Sequence, residues 1–244
     1  MLLLAILAWL LSLKHNNVTL IDSVWAIFFL VGIWVTLVFI TPANPRPYLL
    51  LGLVTLWSCR LSLHLHIRNH NKPEDFRYQA IRARNEPNFR FKSLYLVFIL
   101  QAILAWLISL PLNVVMQSAN TLNIFDYIGM MLWLMGMCWQ VMGDMQLAKF
   151  KAKADNKNKV LNTGVWRYTR HPNYFGESCI WWGYGFFAIA AGGWWSVISP
   201  IFMTYLLIKV TGVKLLEADI AIRRPDYLDY IKKTSTFVPW LPKS

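Results

Sequence analysis

The chain has 244 residues, of which 57% are hydrophobic and 15% are charged, and its formal net charge is +12. A composition this apolar excludes an ordinary soluble domain and predicts an all-α membrane protein built as a bundle of spanning helices. Lys and Arg cluster between the apolar runs, and no nucleic-acid-binding motif accompanies them. We therefore expect membrane lipids, and not nucleic acid, as the partner of this charge.

Seven apolar runs predict about seven transmembrane helices in one integral membrane domain that covers residues 1–244. In chain order they occupy residues 2–13, 18–40, 48–66, 93–116, 124–147, 174–191 and 194–212. Segments 67–92 and 148–172 are strongly basic, whereas 41–47 and 117–123 contain only Arg46 as a basic residue. The positive-inside rule therefore predicts an outside N-terminus and a cytoplasmic C-terminus, in a bacterial cytoplasmic membrane or the endoplasmic reticulum.

Polar side chains inside apolar runs are costly in lipid, so each is a candidate functional residue. In the second run, Asp22 precedes Trp25 by about one turn. In the third run, Trp57, Arg60 and His64 share one helix face. We expect Arg60 to be the cationic partner of Asp22, either in a structural ion pair or in a catalytic or substrate site.

Two further clusters follow. Asp144 and Lys151 lie about two turns apart on one face at the end of the fifth run, where they present charge to a ligand or anchor the helix among headgroups. The tail carries the third cluster, Lys214, Glu217, Tyr227 and Tyr230. These tail residues are either ligand contacts or a solvated helix face in which Lys214 pairs with Glu217. No third ligand accompanies His66 and His70, so no metal site is predicted.

The stretch TGVWRYTRHPNYFGE, residues 163–177, concentrates donors, charges and aromatic rings between a basic loop and an apolar run. Arg170 and His171 offer cationic or hydrogen-bonding groups. Pro172 at a first helical position predicts a helix whose free backbone N–H groups attract anions, so a phosphate-bearing ligand fits this pattern. The alternative is an interfacial belt of Arg and Tyr before the next span.

Four motifs give the chain a resemblance to a known superfamily: GDMQLAKFK, TGVWRYTRHPNYFGE, WWGYGF and the tail ending RPDYLDYIKKTSTFVPW. Through them it is similar to the membrane steroid 5-alpha-reductase superfamily, most closely to a poorly characterised bacterial-type branch. The resemblance implies a seven-helix enzyme that holds NADPH in its cytoplasmic half, here mainly residues 144–240. It also implies hydride transfer to an activated C=C bond of a lipophilic enone.

The resemblance assigns most of the candidate residues to the cofactor. Asp144 and Lys151 match its acidic and basic contacts, with lysine where a steroid reductase has arginine. Tyr168, Asn173 and Glu177 match the residues around the nicotinamide and ribose. The remaining expected cofactor contacts are Arg170, His171, Tyr174, Lys214, Glu217, Tyr227 and Tyr230.

The substrate end departs from the family pattern. Asp22 and Trp57 occupy the places of a glutamate and a tyrosine that polarise the ketone in steroid reductases. An indole donates a hydrogen bond but is not a proton source, whereas His64 falls where another tyrosine would lie. We therefore expect Asp22 and His64 as catalytic residues. Trp25, Trp57 and Arg60 are the expected contacts to a steroid-like, isoprenoid or acyl substrate.

Two other functions remain open. Isoprenylcysteine and phospholipid methyltransferases, which bind S-adenosylmethionine, share an RHPxYxG stretch like residues 170–176, although the chain has Glu217-Ala218 where they usually carry a Glu-Glu pair. A lipid-binding protein without catalysis would explain why Trp57 stands where the steroid reductases have a tyrosine. Asp144, Lys151 and Glu177 favour the reductase, because a 2′-phosphate needs more cations than S-adenosylmethionine does.

Overall fold

The computed structural model describes residues 1–210, 212–217, 220 and 226–243, with the side chains of residues 214 and 215 outside the described part. Within these ranges the chain is helical and forms no β-strand; an isolated bridge joins Thr169 and Ser235. The predicted all-α class is therefore confirmed. The chain divides into two compact units, Met1–Leu122 and a second unit that begins at Asn123.

The helices of the first unit are α1 (Leu2–His15), α2 (Leu20–Phe39), α3 (Pro45–Asn69), α4 (Phe76–Asn85), α5 (Phe89–Ile108) and α6 (Leu110–Met116). The predicted run 93–116 is broken between α5 and α6, because Pro111 lacks the N–H that would continue the preceding helix. The basic segment 67–92 contains a helix, α4, whose first turn is capped by Asp75 accepting the N–H of Arg77.

The helices of the second unit are α7 (Ile124–Ala152), α8 (Pro172–Ala190), α9 (Trp194–Val210), α10 (Val213–Glu217) and α11 (Tyr227–Lys233). Asn123 and Asp126 form a capping box at the start of α7. Pro172 occupies the first position of α8, as predicted, because the missing N–H would have no partner there.

Four helices in the described ranges are long and apolar enough to cross a membrane: α2, α3, α5 and α7. The apolar helices α1 and α9 are shorter. These lengths and compositions indicate a membrane protein, while the count of seven spans and the orientation stay predictions.

Glycines let α7 and α8 approach to backbone contact. Gly129, Gly136 and Gly143 recur every seven residues on α7, and Gly176 and Gly183 have the same spacing on α8. A Cβ added at Gly136 would lie 2.5 Å from the carbonyl oxygen of Gly176, and one at Gly129 would lie 2.8 Å from that of Gly183. Small residues at such contacts let membrane helices pack closely, so this pair forms the frame of the second unit.

Candidate functional site

In the second unit, the segment before α8 is fixed to the C-terminal part of α7. The backbone N–H of Val165 donates to Gln146 Oε1 at 3.0 Å, and the indole N–H of Trp166 donates to the carbonyl oxygen of Gly143 at 3.1 Å. The loop that leads to Arg170 is therefore held on the helix that also carries Asp144.

Arg170 is buried and uses all its guanidinium N–H groups inside the protein. Nε and Nη2 donate to the two carboxylate oxygens of Glu217 at 2.7 and 2.9 Å. Nη1 donates to the carbonyl oxygens of Ile231 and Thr234 at 3.2 and 2.7 Å, and Nη2 also donates to Thr236 Oγ1 at 2.8 Å. Arg170 therefore holds the C-terminal tail in place by a bidentate, charge-assisted contact and three further bonds.

Glu217 is the carboxylate of this cluster, which we call the Arg170 clamp: Arg170, His171, Glu217 and Tyr227. The carboxylate also accepts hydrogen bonds from His171 Nε2 at 2.9 Å and from the Tyr227 hydroxyl at 3.2 Å. Burial alone would raise the pKa of Glu217, but the bonds from His171 and Arg170 favour the ionised form and lower the pKa to about 2. Burial, with Glu217 nearby, raises the pKa of Tyr227, which therefore stays a donor.

The tail packs against the loop at two further points. The Tyr230 hydroxyl donates to the carbonyl oxygen of Trp166, and its ring meets that of Tyr227 edge-on with centroids 5.4 Å apart. The Thr169 hydroxyl donates to the carbonyl oxygen of Phe237 at 2.8 Å. The structure thus brings together the predicted residues Arg170, His171, Glu217, Tyr227 and Tyr230, in contacts that join tail to loop.

At the start of α8, part of the backbone in the predicted anion site already has a contact within the protein. Pro172 has no N–H, and the N–H of Tyr174 is bound by Asn173 Oδ1 at 3.1 Å. The backbone nitrogen of Asn173 faces Gly143, where an added Cβ would lie 3.2 Å from it. α7 therefore packs closely on this helix start at Gly143, and the anion site stays a prediction.

Buried polar side chains line the contact between α7 and α8. Asn173 Nδ2 donates to Asp144 Oδ1 at 3.3 Å. Glu177 accepts hydrogen bonds from Gln140 and, at 3.0 Å, from the indole N–H of Trp181. The relative exposures of Asp144, Gln140 and Glu177 are 7%, 3% and 5%. Polar groups this deep among apolar helices are candidate ligand contacts as well as helix contacts.

The other predicted cofactor residues lie at the edges of this region. Lys151 is exposed in the last turn of α7, and Tyr168 is 39% exposed in the loop. The ring of Tyr174 is nearly parallel to that of His171, with centroids 5.7 Å apart. The side chain of Lys214 lies outside the described part of the chain, and so does its predicted pairing.

In the first unit, Asp22 is bound by two residues of α4. Arg77 Nη2 donates to Asp22 Oδ2 at 2.7 Å, and the Tyr78 hydroxyl donates to Oδ1 at 2.5 Å. Arg77 also donates from Nε to Asp75 Oδ1 at 2.8 Å. The cation on Asp22 is therefore Arg77, whereas the sequence predicted Arg60, because spacing along two apolar runs carries no information about a helix in the following loop.

We call Asp22, Arg77 and Tyr78 the Asp22 clamp. Burial would lower the pKa of Arg77, but the Asp22 charge and the hydrogen bonds and charge of Asp75 together raise that pKa. Burial and the same charge raise the pKa of Tyr78, whose oxygen accepts a hydrogen bond from Gln101 Nε2 at 3.1 Å. Tyr78 is therefore a protonated donor held between two fixed partners.

The predicted substrate residues divide into two groups. Trp25 and Trp57 both meet the ring of Phe29 edge-on, with centroid distances of 5.3 and 5.7 Å, and Trp57 is fully buried. Arg60 and His64 follow on α3 and are partly exposed. The two tryptophans therefore form one aromatic cluster between α2 and α3.

An apolar cavity of about 700 Å³ lies in the first unit beside this cluster. Its lining includes Phe29, Ile33, Ile103 and Trp106, with the polar residues Thr36, Ser109 and Asn113. The volume is within the range of about 300–1,000 Å³ that is usual for small-molecule sites. At roughly 1.5 Å per residue along α2, Phe29 is about 10 Å and Thr36 about 21 Å from Asp22. The cavity therefore lies toward the other end of α2.

Sequence reasoning missed Arg77, Tyr78 and Gln140. Gln140 was recognisable as an amide inside an apolar run. Arg77 and Tyr78 follow Asp75, a typical N-cap residue, which signals the start of α4 but not the helix against which α4 packs.

No solved structure matches the chain significantly. An uncharacterised protein of Schizosaccharomyces pombe is 23% identical over 273 aligned positions, which cover 97% of this chain and 76% of the relative. The family described as protein of unknown function DUF1295 matches residues 8–234. Since this match extends over nearly all of the chain, the protein belongs to the DUF1295 family.

Proposed function

We propose that the protein is a membrane-embedded, NADPH-dependent reductase acting on the activated C=C bond of a lipophilic enone, whether steroid-like, isoprenoid or acyl. In this proposal the chain is a multi-pass protein with seven spans, an outside N-terminus and a cytoplasmic C-terminus, in a bacterial cytoplasmic membrane or the endoplasmic reticulum. The motifs shared with the steroid 5-alpha-reductase superfamily support both the reductase activity and the arrangement in the membrane.

The pairing of Asp144 with Asn173 is the observation that carries the proposal. A buried carboxylate and a primary amide meet where α7 passes the first turn of α8. A carboxylate accepts hydrogen bonds from ribose hydroxyls, and an amide side chain can donate to and accept from a carboxamide, so this donor set fits NADPH. When bound, NADPH would supply the hydride.

Cations for the phosphates come in this proposal from the end of α7 and the loop after it. Lys149, Lys151 and Lys153 are exposed there. They are point charges that suit a 2′-phosphate, whereas the N–H groups of Arg170 are already used within the clamp.

The first unit offers features for the substrate. The apolar cavity suits the body of a lipophilic molecule, whose reactive end would extend about 10 Å along α2 to reach the Asp22 clamp. The Asp22 clamp contains a phenolic hydroxyl, that of Tyr78, which Trp57 lacks. Reduction of an enone adds one proton as well as one hydride, so Tyr78, oriented by the Asp22 carboxylate, joins His64 as a candidate hydrogen-bond or proton donor.

The test is the thermal stability of the detergent-purified chain titrated with NADPH, NADH and S-adenosylmethionine. A ligand at about 100 times its Kd raises the free energy of unfolding by about 2.7 kcal/mol. We expect a shift with NADPH, its loss in Asp144→Asn, and a weaker shift in Lys151→Gln. Lys157→Gln, which removes another exposed lysine of the same basic segment, is the matched control and should keep the full shift.

A methyltransferase is the second candidate. The observation that favours a methyltransferase is that the N–H groups of Arg170 already bind Glu217 and the tail. Arg170 is then not available to a phosphate, which suits a cofactor that needs fewer cations than NADPH. A shift with S-adenosylmethionine alone would select it and reject the reductase. No shift with any of the three ligands would favour a lipid-binding protein without catalysis.

A further inference from the structure

A second cavity of the first unit, of about 350 Å³, has no role in the proposed reduction. Its polar lining consists of Ser12, Asn16, Arg82, Arg90 and Ser93. The volume is at the lower end of the range of about 300–1,000 Å³ for small-molecule sites. Two arginines, two hydroxyls and an amide in one small cavity indicate a polar, anionic ligand.

The cavity lies at the end of a candidate membrane span. Phe89, the first residue of α5, lines it, and so does Ser12 in the last turn of α1. The indole N–H of Trp9 donates to the carbonyl oxygen of Arg90 at 3.1 Å, and tryptophan is enriched where a bilayer meets water. The first turn of α5 marks this boundary, so the cavity lies at the depth of lipid headgroups.

Arg82 is fixed at the cavity between two carboxylates, those of Glu74 and Glu86. Glu74 accepts from Nε and Nη2 at 2.8 and 2.9 Å, and the Phe89 ring lies 4.6 Å from Cζ. In the described ranges, no atom accepts a hydrogen bond from Nη1; the half-exposed Glu86 is 3.9 Å away. The contact of Nη1 with Glu86 is therefore a long, half-exposed ion pair, which a phosphate at this edge of the guanidinium would replace.

Arg90 supplies the second charge. It is exposed, and no described side chain or carbonyl accepts a hydrogen bond from its guanidinium. Because α1 ends and α5 begins at this cavity, their helix dipoles oppose each other, and the side-chain charges determine its sign.

The two serines indicate which chemical group the ligand carries beside its anionic group. The Ser12 hydroxyl donates to the carbonyl oxygen of Trp9 at 2.7 Å, and the Ser93 hydroxyl donates to that of Arg90 at 2.9 Å. Their hydrogens are therefore committed, and their oxygens act as acceptors. An acceptor beside a phosphate site matches a ligand that carries a hydroxyl group and not a quaternary ammonium.

We propose that this cavity binds the headgroup of an anionic phospholipid that bears hydroxyl groups, of which phosphatidylglycerol is the simplest example. The phosphate lies between Arg82 and Arg90, and the glycerol hydroxyls donate to Ser12 and Ser93. The acyl chains extend along the apolar surfaces of α1 and α5.

The test measures lipid binding by the full-length chain in a neutral detergent. Dihexanoyl phosphatidylglycerol, dihexanoyl phosphatidylcholine and glycerol phosphate are titrated against wild type, Arg90→Gln and Arg84→Gln. Arg84 is the matched control because it is an equally exposed arginine on α4 that does not line the cavity. We expect phosphatidylglycerol to bind wild type best and Arg90→Gln to bind it about tenfold more weakly, the usual scale of one charge-assisted contact. Arg84→Gln should remain within about twofold of wild type.

Equal losses in the two variants would overturn the proposal, since general surface charge would then explain the binding. Equal affinity for phosphatidylcholine would also overturn it. If glycerol phosphate bound as tightly as the lipid, the ligand would be a soluble phosphate ester and not a membrane lipid. NADPH binding is unaffected by Arg90→Gln in our proposal, so this test is independent of the proposed reductase function.

Discussion

Each unit holds one carboxylate between an arginine and a tyrosine, but the two clamps distribute their hydrogen bonds differently. In the Asp22 clamp, Arg77 is shared between two carboxylates, those of Asp22 and Asp75. In the Arg170 clamp, one arginine binds both oxygens of one carboxylate, that of Glu217, and its remaining donors go to the tail. Arg77 therefore keeps a carboxylate partner when one is lost, whereas Arg170 without Glu217 keeps neutral acceptors in the tail.

Removal of the Arg170 guanidinium should have the largest effect. Arg170→Met leaves the partly buried carboxylate of Glu217 without its bidentate partner, and it leaves the carbonyl oxygens of Ile231 and Thr234 without donors. We expect a loss of about 3–5 kcal/mol in the free energy of unfolding, measured by denaturation in detergent. Arg167→Met, which changes an exposed arginine in the same loop, should cost less than about 0.5 kcal/mol. Equal effects would show that the clamp is not what stabilises the tail.

A second variant tests how much the glycine contact between α7 and α8 contributes to the free energy of unfolding, compared with the Arg170 clamp. Gly136→Ala places a Cβ 2.5 Å from the carbonyl oxygen of Gly176, so α7 and α8 must separate. We expect a loss of about 1–3 kcal/mol. Gly52→Ala on α3 is the control: its Cβ meets nothing within 4 Å, and alanine favours a helix by up to about 1 kcal/mol. A melting temperature raised by Gly136→Ala would contradict the close contact.

Loss of the Asp22 charge should have a smaller effect. In Asp22→Asn, Arg77 keeps its contact with Asp75, and the amide oxygen can still accept one hydrogen bond. We expect a loss of about 1–2 kcal/mol in the free energy of unfolding. Asp229→Asn, at an exposed carboxylate, should change it by less than about 0.5 kcal/mol. If Asp22→Asn lowered the free energy of unfolding as much as Arg170→Met does, the second contact of Arg77, to Asp75, would not limit the effect of losing the first.

Acid should weaken the Arg170 clamp gradually. The pKa of Glu217 is about 2 in the folded protein, against an ordinary value of 4.5. Its stabilising contribution is therefore complete above pH 4.5 and is lost as the pH falls from there toward 2. Linkage gives a loss of about 1 kcal/mol by pH 3.5. The stability difference between wild type and Glu217→Gln should shrink over this interval; a difference that stays constant from pH 7 to 3.5 would contradict the lowered pKa.

The helices were largely predictable because a long apolar run is a local signal. The runs predicted at 18–40, 48–66 and 124–147 correspond to α2, α3 and α7, each within a few residues. The short polar helix α4 was missed because its stability depends on contacts with α2 and not on its own composition. The break before α6 was signalled by Pro111 but hidden in a continuous apolar run.

The candidate sites were predictable as residues but not as pairs. Asp22 and Asp144 stood out because charge is rare in apolar segments, whereas Glu217 stood out as a member of the tail cluster. Their partners are distant in sequence: Arg77 is 55 residues from Asp22, and Arg170 is 47 residues from Glu217. Spacing rules reach only one or two helical turns, so they could not identify such partners.

The glycine contact between α7 and α8 limits how the second unit can move. A slide by one helical turn, about 5.4 Å, would bring the Cys179 or Gln140 region of one helix onto a glycine step that has no room for a side chain. Both glycine pairs would have to separate together, so the two helices are expected to move as one rigid rod. If the second unit holds NADPH as proposed, the movement that admits it comes from the loop between α7 and α8 and from the tail, whose position depends on the Arg170 clamp.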